Sequence, residues 1–282
     1  MPGAPSPSPV RSNRTPRFDG LPLPPARMPL VRDGRPLKAW RYVGIYDDEL
    51  MLCAGRVRVA GVPQAFWAVW DRGAARLHER TTWSPRQVAL PDGEVQIRAR
   101  GVRVALKLMP FGEPVDVVSR HGSSWIWTRK TLMRATGTVA LAGRVRPVDA
   151  TALVDDSAGY HARATDWEWS AGVGTLADGR PVAWNLVDGV HDTTTDSERS
   201  VWVAGRPHEV GPVTFAPALD GVAFTEGGTL AFAAEAVRER HDHAGPLRSD
   251  YVQPFGTFTG TLPGAGPLAV GFGVMERHRA RW

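Results

Sequence analysis

The sequence predicts an all-β protein of two duplicated antiparallel lobes, each a β-barrel or sandwich, packed together. Three observations lead there. From Trp40 onward the apolar residues recur with period two instead of the 3.6 of a helix. Several short motifs return in the same order after about 119 residues. Gly (30 residues) and Pro (24 residues) are frequent enough to end many short elements.

The elements follow in chain order. Residues 1–36 form an arm rich in Pro, Arg and Ser, whose first fifteen residues or so are expected to be disordered. From Phe18 to Leu37 the arm carries enough apolar side chains to lie extended on the body. The first lobe is placed at 37–158 and the second at 159–282. Within the first, Val95, Ile97 and Ala99 alternate with Glu94, Gln96 and Arg98. Val102, Val104, Leu106 and Leu108 alternate in the same way, which marks two half-buried strands with a bulge or bend expected at Gly101. Leu230–Arg240 has the Ala and Glu content of a helix, but it alternates and follows the turn pair Gly227-Gly228, so a strand is expected.

The repeat rests on four matches. Trp67-Ala68-Val69-Trp70-Asp71 resembles Trp184-Asn185-Leu186-Val187-Asp188, and Glu79-Arg80 resembles Glu198-Arg199. Arg129 with Gly137-Thr138 resembles Arg248 with Gly256-Thr257, and Val154-Asp155-Asp156 aligns with Val274-Met275-Glu276. A unit of this length is too long for a solenoid repeat and fits a lobe of roughly eight strands.

Composition narrows the function classes. Of 34 basic residues only Lys38, Lys107 and Lys130 are lysines, and the arginines are scattered among 29 acidic residues. A net charge of +5 without a clustered basic face argues against nucleic acid. The single cysteine, Cys53, excludes an internal disulfide and reads as a buried core thiol. No apolar run is long enough for a membrane span, and no leader-like apolar region opens the chain, so a cytoplasmic protein is expected. Oligomeric state is left open.

Candidate chemistry concentrates between Asp155 and Asn185. Trp167 and Trp169 share one face of a strand while Glu168 takes the other. A carboxyl on an inner apolar face would keep its proton near neutral pH and could deliver it to an alkene or carbonyl. The alternative is a Trp pair filling the core with Glu168 in solvent. Asn185 interrupts the apolar run 182–187 and needs a partner, either a ligand carbonyl or neighbouring backbone. Trp127 and Arg129, with Lys130 and Arg248, could hold an anionic ligand group or form a solvated strand edge. Glu276 and His278, two apart, share a face of the last strand and could act as an acid/base pair, with His161 as an orienting or proton-shuttling group. Glu79-Arg80 and Glu198-Arg199 read as ion pairs bracing each lobe. His241-Asp242-His243 sits in a polar turn with no third ligand at a metal-binding spacing, so neither a metal nor another cofactor is expected. Nucleophile elbows, phosphate loops and dinucleotide fingerprints are absent from the sequence.

These motifs also resemble a known family. Gly159-Tyr160-His161, Trp167-Glu168-Trp169-Ser170-Ala171-Gly172-Val173-Gly174, Ala183-Trp184-Asn185-Leu186-Val187, Ser197-Glu198-Arg199 and Gly273-Val274-Met275-Glu276-Arg277-His278 are similar, in order, to the bacterial domain of unknown function 2804. Trp125-Ile126-Trp127-Thr128-Arg129-Lys130 and Pro254-Phe255-Gly256-Thr257-Phe258 extend the likeness over Leu21 to Trp282. The resemblance implies lipocalin-like lobes. It also implies a distant relation to carotenoid 1,2-hydratase, tocopherol cyclase, fungal lipocalin-like Diels–Alderases and AttH-like proteins, whose shared theme is an apolar ligand held within or between lobes.

The expected function is binding of an apolar small molecule of isoprenoid, lipid or polyketide character. Cofactor-free hydration, cyclisation or isomerisation could accompany it, with Glu168, Glu276 and His161 as catalytic candidates. Trp127, Arg129, Trp167, Trp169, Trp184, Asn185 and His278 would line the ligand. A non-catalytic carrier and an interaction scaffold with a filled core stand as alternatives.

Overall fold

The computed structural model describes residues 10–12, 20–84, 86–121, 124–244 and 247–281. Among these residues all regular structure is strand, and no helix is long and apolar enough to cross a membrane. The early strands are β1 (Val10–Ser12), β2 (Val31–Arg32) and β3 (Arg35–Pro36). The first lobe follows with β4 (Lys38–Tyr46), β5 (Leu50–Val59), β6 (Val62–Asp71), β7 (Arg76–Thr82) and β8 (Val88–Ala89). It continues through β9 (Glu94–Ala99), β10 (Val102–Pro110), β11 (Val115–His121), β12 (Ser124–Leu141) and β13 (Arg144–Gly159). The second lobe comprises β14 (Ala164–Leu176), β15 (Pro181–Asp188), β16 (Ser200–Val203), β17 (Arg206–Glu209) and β18 (Val213–Phe215). It ends with β19 (Gly221–Phe224), β20 (Thr229–Ala244), β21 (Leu247–Leu262) and β22 (Gly266–Arg281).

The two sheets have the same plan. The first runs β7-β6-β5-β4-β13-β12-β10-β9-β8 and the second β17-β16-β15-β14-β22-β21-β20-β19-β18. β12 pairs with β10 along one half and β11 along the other, so β10 and β11 together stand where the single strand β20 stands. Each sheet curls on itself: β8 lies against β5 and β6, and β18 against β15. The chain is therefore an all-β protein of two duplicated, lipocalin-like lobes.

Ladder register refines the repeat. Val154 and Val274 lie at corresponding places on β13 and β22, whereas Arg129 and Arg248 lie on the corresponding strands β12 and β21 but out of register: Val154 faces Thr131 and Val274 faces Phe255, which sets Arg129 level with Gln253. The other two matches fall on different strands of their sheets. Val154 pairs with Val43, and Val43 with Ala54. Val274 pairs with Ala171, and Ala171 with Asn185. Ala54 thus occupies the place of Asn185, and Trp67, opposite Ala54, the place of Ser200. The Trp67/Trp184 and Glu79/Glu198 likenesses are convergent strand composition, displaced by one strand.

Central strands bury both faces. On β4, Val43 and Ile45 point into the core of the first lobe, while Tyr42 and Tyr46 point towards the second lobe. Leu50, Leu52 and Ala54 of β5 split from Met51 and Cys53 in the same way. Both lobes fill their own interiors, and a third apolar cluster forms the seam between them. Peripheral strands such as β10 keep strict buried/exposed alternation, because one face meets solvent. Gly44 belongs to the seam logic, since a Cβ there would overlap the Tyr46 hydroxyl.

Several expectations change in detail. Of the bulge or bend expected at Gly101, the chain takes the bend: a tight hairpin turn with φ of 75°, across which Val102 pairs directly with Ala99. Leu230–Arg240 is strand, within β20. In the arm, Val10–Ser12 pair with Asp116–Val118, so those three residues are ordered against the first lobe. The rest of the first fifteen residues, where disorder is expected, and the start of the arm at Phe18 lie outside the described residues. Leu21, Leu23 and Met28 cover Trp125 and Tyr160, and the Tyr160 hydroxyl donates to the Pro29 carbonyl at 2.8 Å.

Candidate functional site

Period-two geometry stacks polar side chains on the seam face of four strands. On β22 that face carries Val274, Glu276 and His278; on β14 it carries Trp167, Trp169 and Ala171; on β21 it carries Tyr251, Gln253 and Phe255. Trp169 stands opposite Glu276 in the ladder, and Trp167 opposite His278. From the first lobe β4 adds Lys38, Trp40, Tyr42 and Tyr46.

Glu276 is the centre of one cluster. Its Oε1 accepts from the Trp167 indole at 3.1 Å and its Oε2 from the Gln253 amide at 3.0 Å. The Gln253 Oε1 accepts from the Cys53 thiol of the first lobe at 3.4 Å, and its amide also reaches the Tyr42 hydroxyl at 3.4 Å. Tyr42 and Tyr46 share a hydrogen bond of 3.1 Å. Burial pushes the Glu276 carboxyl up to about 7, against the opposing hydrogen bond from Trp167.

Two nitrogen groups flank this acid. The Lys38 Nζ lies 6.0 Å from the Trp167 ring centroid, and burial lowers its pKa to about 7. His278 meets the Trp167 ring edge-on at 4.4 Å and bonds Ser249 Oγ at 2.9 Å. Burial, and then the charge of Lys38, lower the imidazole to about 3. Arg238 is buried between Phe66 and Tyr251, its guanidinium 4.5 and 4.8 Å from their rings. It reaches Thr81 at 2.8 Å and Glu79 at 3.3 Å in the first lobe.

A second cluster lies along the same seam. Lys130 is 2.7 Å from Asp155 and 3.1 Å from Glu198, all three buried. Trp40 and Thr128 donate to Asp155 at 3.3 and 3.1 Å. Asn185 accepts from the Trp169 indole at 2.8 Å and donates to Glu198. Burial pushes the Glu198 carboxyl up, with Lys130 opposing. On Lys130, burial works to lower the pKa, but the two carboxylates outweigh it and hold the amine above its usual range.

The remaining candidates stand apart. Glu168 is on the outer face of β14, ion-paired with Arg277 at 2.8 Å, and does not meet Glu276. Trp184 points into the core of the second lobe and bonds Ser170 at 3.1 Å. Trp127 and Arg129 both bond Asp116, at 3.0 and 2.9 Å. His161 is buried beside Trp40, with ring centroids 5.2 Å apart. The Glu-Arg pairs do not brace their own lobes as expected: Glu79 and Glu198 each reach a cation of the opposite lobe, and Arg199 donates to the carbonyls of Asp192 and Val210. His241 and His243 both face Asp250, at 2.8 and 3.4 Å. Among the described residues no three His, Cys, Asp or Glu side chains converge as metal ligands would.

Sequence reading missed Lys38, Gln253, Arg238 and the tyrosine pair, and it set Lys130 beside Arg129 at an anion site or solvated edge, whereas Lys130 is buried between Asp155 and Glu198. One signal was available: in a chain that uses Arg almost everywhere, two of three lysines are buried.

Among the described residues, two clefts at the seam stand out. One, of about 230 Å³, is lined by Tyr46, Leu132 and Phe111 of the first lobe and Val173, Trp202 and Phe272 of the second. The other is a shallow recess of about 470 Å³ bounded by Asp48, Trp70, Arg72, Gly73 and Glu235.

The fold and its seam define a two-lobed, lipocalin-like β protein. Residues 115–282 match the family described as Domain of unknown function (DUF2804), and the chain belongs to that family. Its fold is similar to that of an AttH-assigned protein from Nitrosomonas europaea, at 15% identity and a TM-score of 0.56, over 90% of this chain and 97% of that one. It is also similar to kievitone hydratase from Nectria haematococca, at 9% identity and a TM-score of 0.50, over 85% of this chain and 88% of that one. At such identities the likeness is one of fold. No curated protein matches the chain.

Proposed function

We propose that the protein binds an apolar small molecule at the seam between its lobes and transfers a proton to it from Glu276, without a cofactor. The observation carrying this reading is Glu276 itself. Its carboxyl keeps a proton up to about pH 7, and it stands opposite Trp169 in the ladder with the Trp167 indole on one oxygen and the Gln253 amide on the other. A neutral carboxylic acid beside indole faces suits protonation of an alkene or enone, since the rings stabilise positive charge developing on carbon. Addition of water, or of a second carbon of the same molecule, followed by proton loss to Glu276 would complete hydration, cyclisation or isomerisation. A hydratase sharing the fold is consistent with that chemistry.

A second reading is a non-catalytic carrier. It is favoured by the hydrogen bonds that tie both Glu276 oxygens, while a cleft smaller than the ~300 Å³ common for ligand sites favours the third reading, an interaction scaffold with a filled core. The test is incubation with the enone β-ionone in D2O, read by native mass spectrometry for binding and by deuterium uptake for proton transfer. Binding with uptake that Glu276→Gln abolishes supports the acid. Binding with no uptake supports the carrier, and repeated absence of binding by β-ionone, farnesol and oleate overturns both.

A further inference from the structure

Arginines that lie scattered in the sequence are gathered by ladder pairing at one corner of the first lobe. Arg98 on β9 stands directly opposite Arg103 on β10, Arg103 opposite Ala140 on β12, and Ala140 opposite Val145 on β13. This crosswise row lies on the outer face, because Ile97, Val104, Val139 and Val148 take the inner one. The two turns beyond the row are joined, the Ala142 amide donating to the Gly101 carbonyl at 2.8 Å, and they add Arg100 and Arg144. The four arginines are exposed, and so is Val145, at 67%. Among the described residues none of the four has a carboxylate partner; Arg98 donates to the Gln96 side-chain oxygen at 3.3 Å. Elsewhere on the same β12–β13 hairpin the arginines are paired, Arg134 with Asp149 at 2.7 Å and Arg146 with Asp71 at 2.9 Å. Cations set directly opposite each other in a ladder repel, so Arg98 and Arg103 cost the sheet stability. The second lobe shows that the fold does not require them. Its equivalent turns join β19 to β20 and β21 to β22, and residues 221–237 and 249–276 there contain no lysine or arginine.

We propose that this corner docks the protein on an anionic lipid membrane. Guanidinium groups take phosphate and carboxylate headgroups two-pronged, and several cations on one surface add their attraction to the negative leaflet. Val145, at the end of the row, enters the apolar layer just beneath the headgroups. Charge complementarity alone would also suit a nucleic acid, but the row and its two turns carry no aromatic ring on which bases could stack. An exposed valine gains nothing from a phosphate backbone and does gain from a bilayer. Neither seam cleft is lined by these residues, so docking does not depend on the seam binding a ligand.

The test is flotation of the full chain with vesicles of phosphatidylcholine, alone or mixed with phosphatidylserine. Binding is expected with the mixed vesicles, not with phosphatidylcholine alone, and should fade at high salt. Arg98→Gln and Arg103→Gln should each weaken it about fivefold. Val145→Ser should weaken it without changing the charge. Arg206→Gln, which removes one charge from an exposed position on the second lobe, should bind as the parent does. The corner arginines give up no ion pair when replaced, so the melting temperature should not fall, which separates lost docking from lost fold. No flotation with the mixed vesicles at low salt overturns the proposal. Equal weakening by Arg206→Gln would reduce the effect to net charge and overturns it too. Tighter binding to a duplex DNA oligonucleotide, lost in the same corner variants, would assign the corner to nucleic acid. Dimerisation lost in those variants would assign it to a second copy of the chain, and either result overturns membrane docking.

Discussion

Glu235 of the second lobe grips Arg72 of the first with both carboxylate oxygens, at 2.7 and 2.8 Å, and one of these oxygens also accepts from the Trp70 indole at 2.9 Å. Glu235 is the residue at which the β20–β21 register shifts, so the bulge turns an extra side chain towards the neighbouring lobe. The pair is partly exposed, which limits its worth. Glu235→Ala should cost about 1 kcal/mol of stability in denaturant titration, and the cost should shrink at high salt. A loss several times larger would mean that the clasp also organises the bulge.

Glu276 ties stability to pH. Its carboxyl rises from an ordinary 4.5 to about 7 on folding, so folding favours the protonated form. The stability it contributes is full below about pH 4.5 and is lost as pH rises through 7. Glu276→Gln should remove that slope and leave the variant more stable than the parent at pH 8 by roughly 3 kcal/mol. Lys38 acts in the opposite sense, because its lowered pKa penalises the folded state as pH falls from 10.5 through about 7. Lys38→Met should therefore stabilise most below pH 7. Parallel pH–stability curves for parent and both variants would contradict this picture.

The buried Lys130 is matched to two carboxylates, so removing it leaves charge without a partner. Lys130→Met should cost about 3–5 kcal/mol in equilibrium unfolding. The triple change Lys130→Met, Asp155→Asn, Glu198→Gln should recover most of that loss. Failure of the triple variant to recover would assign the cost to packing against Trp169 instead of to charge.

Asn185 joins the Trp169 indole to Glu198 and has Ala54 as its counterpart in the first lobe. Asn185→Ala strands a buried indole N–H and should cost roughly 1–3 kcal/mol in equilibrium unfolding. Phe at position 169 in the same background removes the stranded donor, so the double variant should lose less than the two single losses combined. Simple additivity would show that the pair is not coupled.

Much of the fold was legible because its signal is local. Alternation at 94–108 and 229–244 is visible within one strand, and the Gly-rich turns punctuate it. The site was legible only where parity sufficed. Glu276 and His278 share a face by spacing alone, and Glu168 falls opposite Trp167 and Trp169 by the same rule, where Arg277 meets it. What parity cannot supply is partnership across lobes. Cys53 and Gln253 are 200 residues apart, and Arg72 and Glu235 are 163 apart. The displaced repeat failed for a related reason: Trp67 and Trp184 look alike in composition, but only ladder pairing fixes which strand each occupies.

The doubly buried central strands change what a slip in alignment would mean. In an ordinary half-solvated strand a shift of one residue throws oily side chains into water, and that penalty polices the pairing. On β4 the same shift would exchange Tyr42 and Tyr46 with Val43 and Ile45, one greasy surface for another. Bulk, and not aversion to water, must then hold the strand in place. On the neighbouring pair β5 and β6 such a fit is present: the Phe66 ring lies over its ladder partner Gly55, where a Cβ would overlap it, and that cross-strand contact acts as a notch that fixes the register.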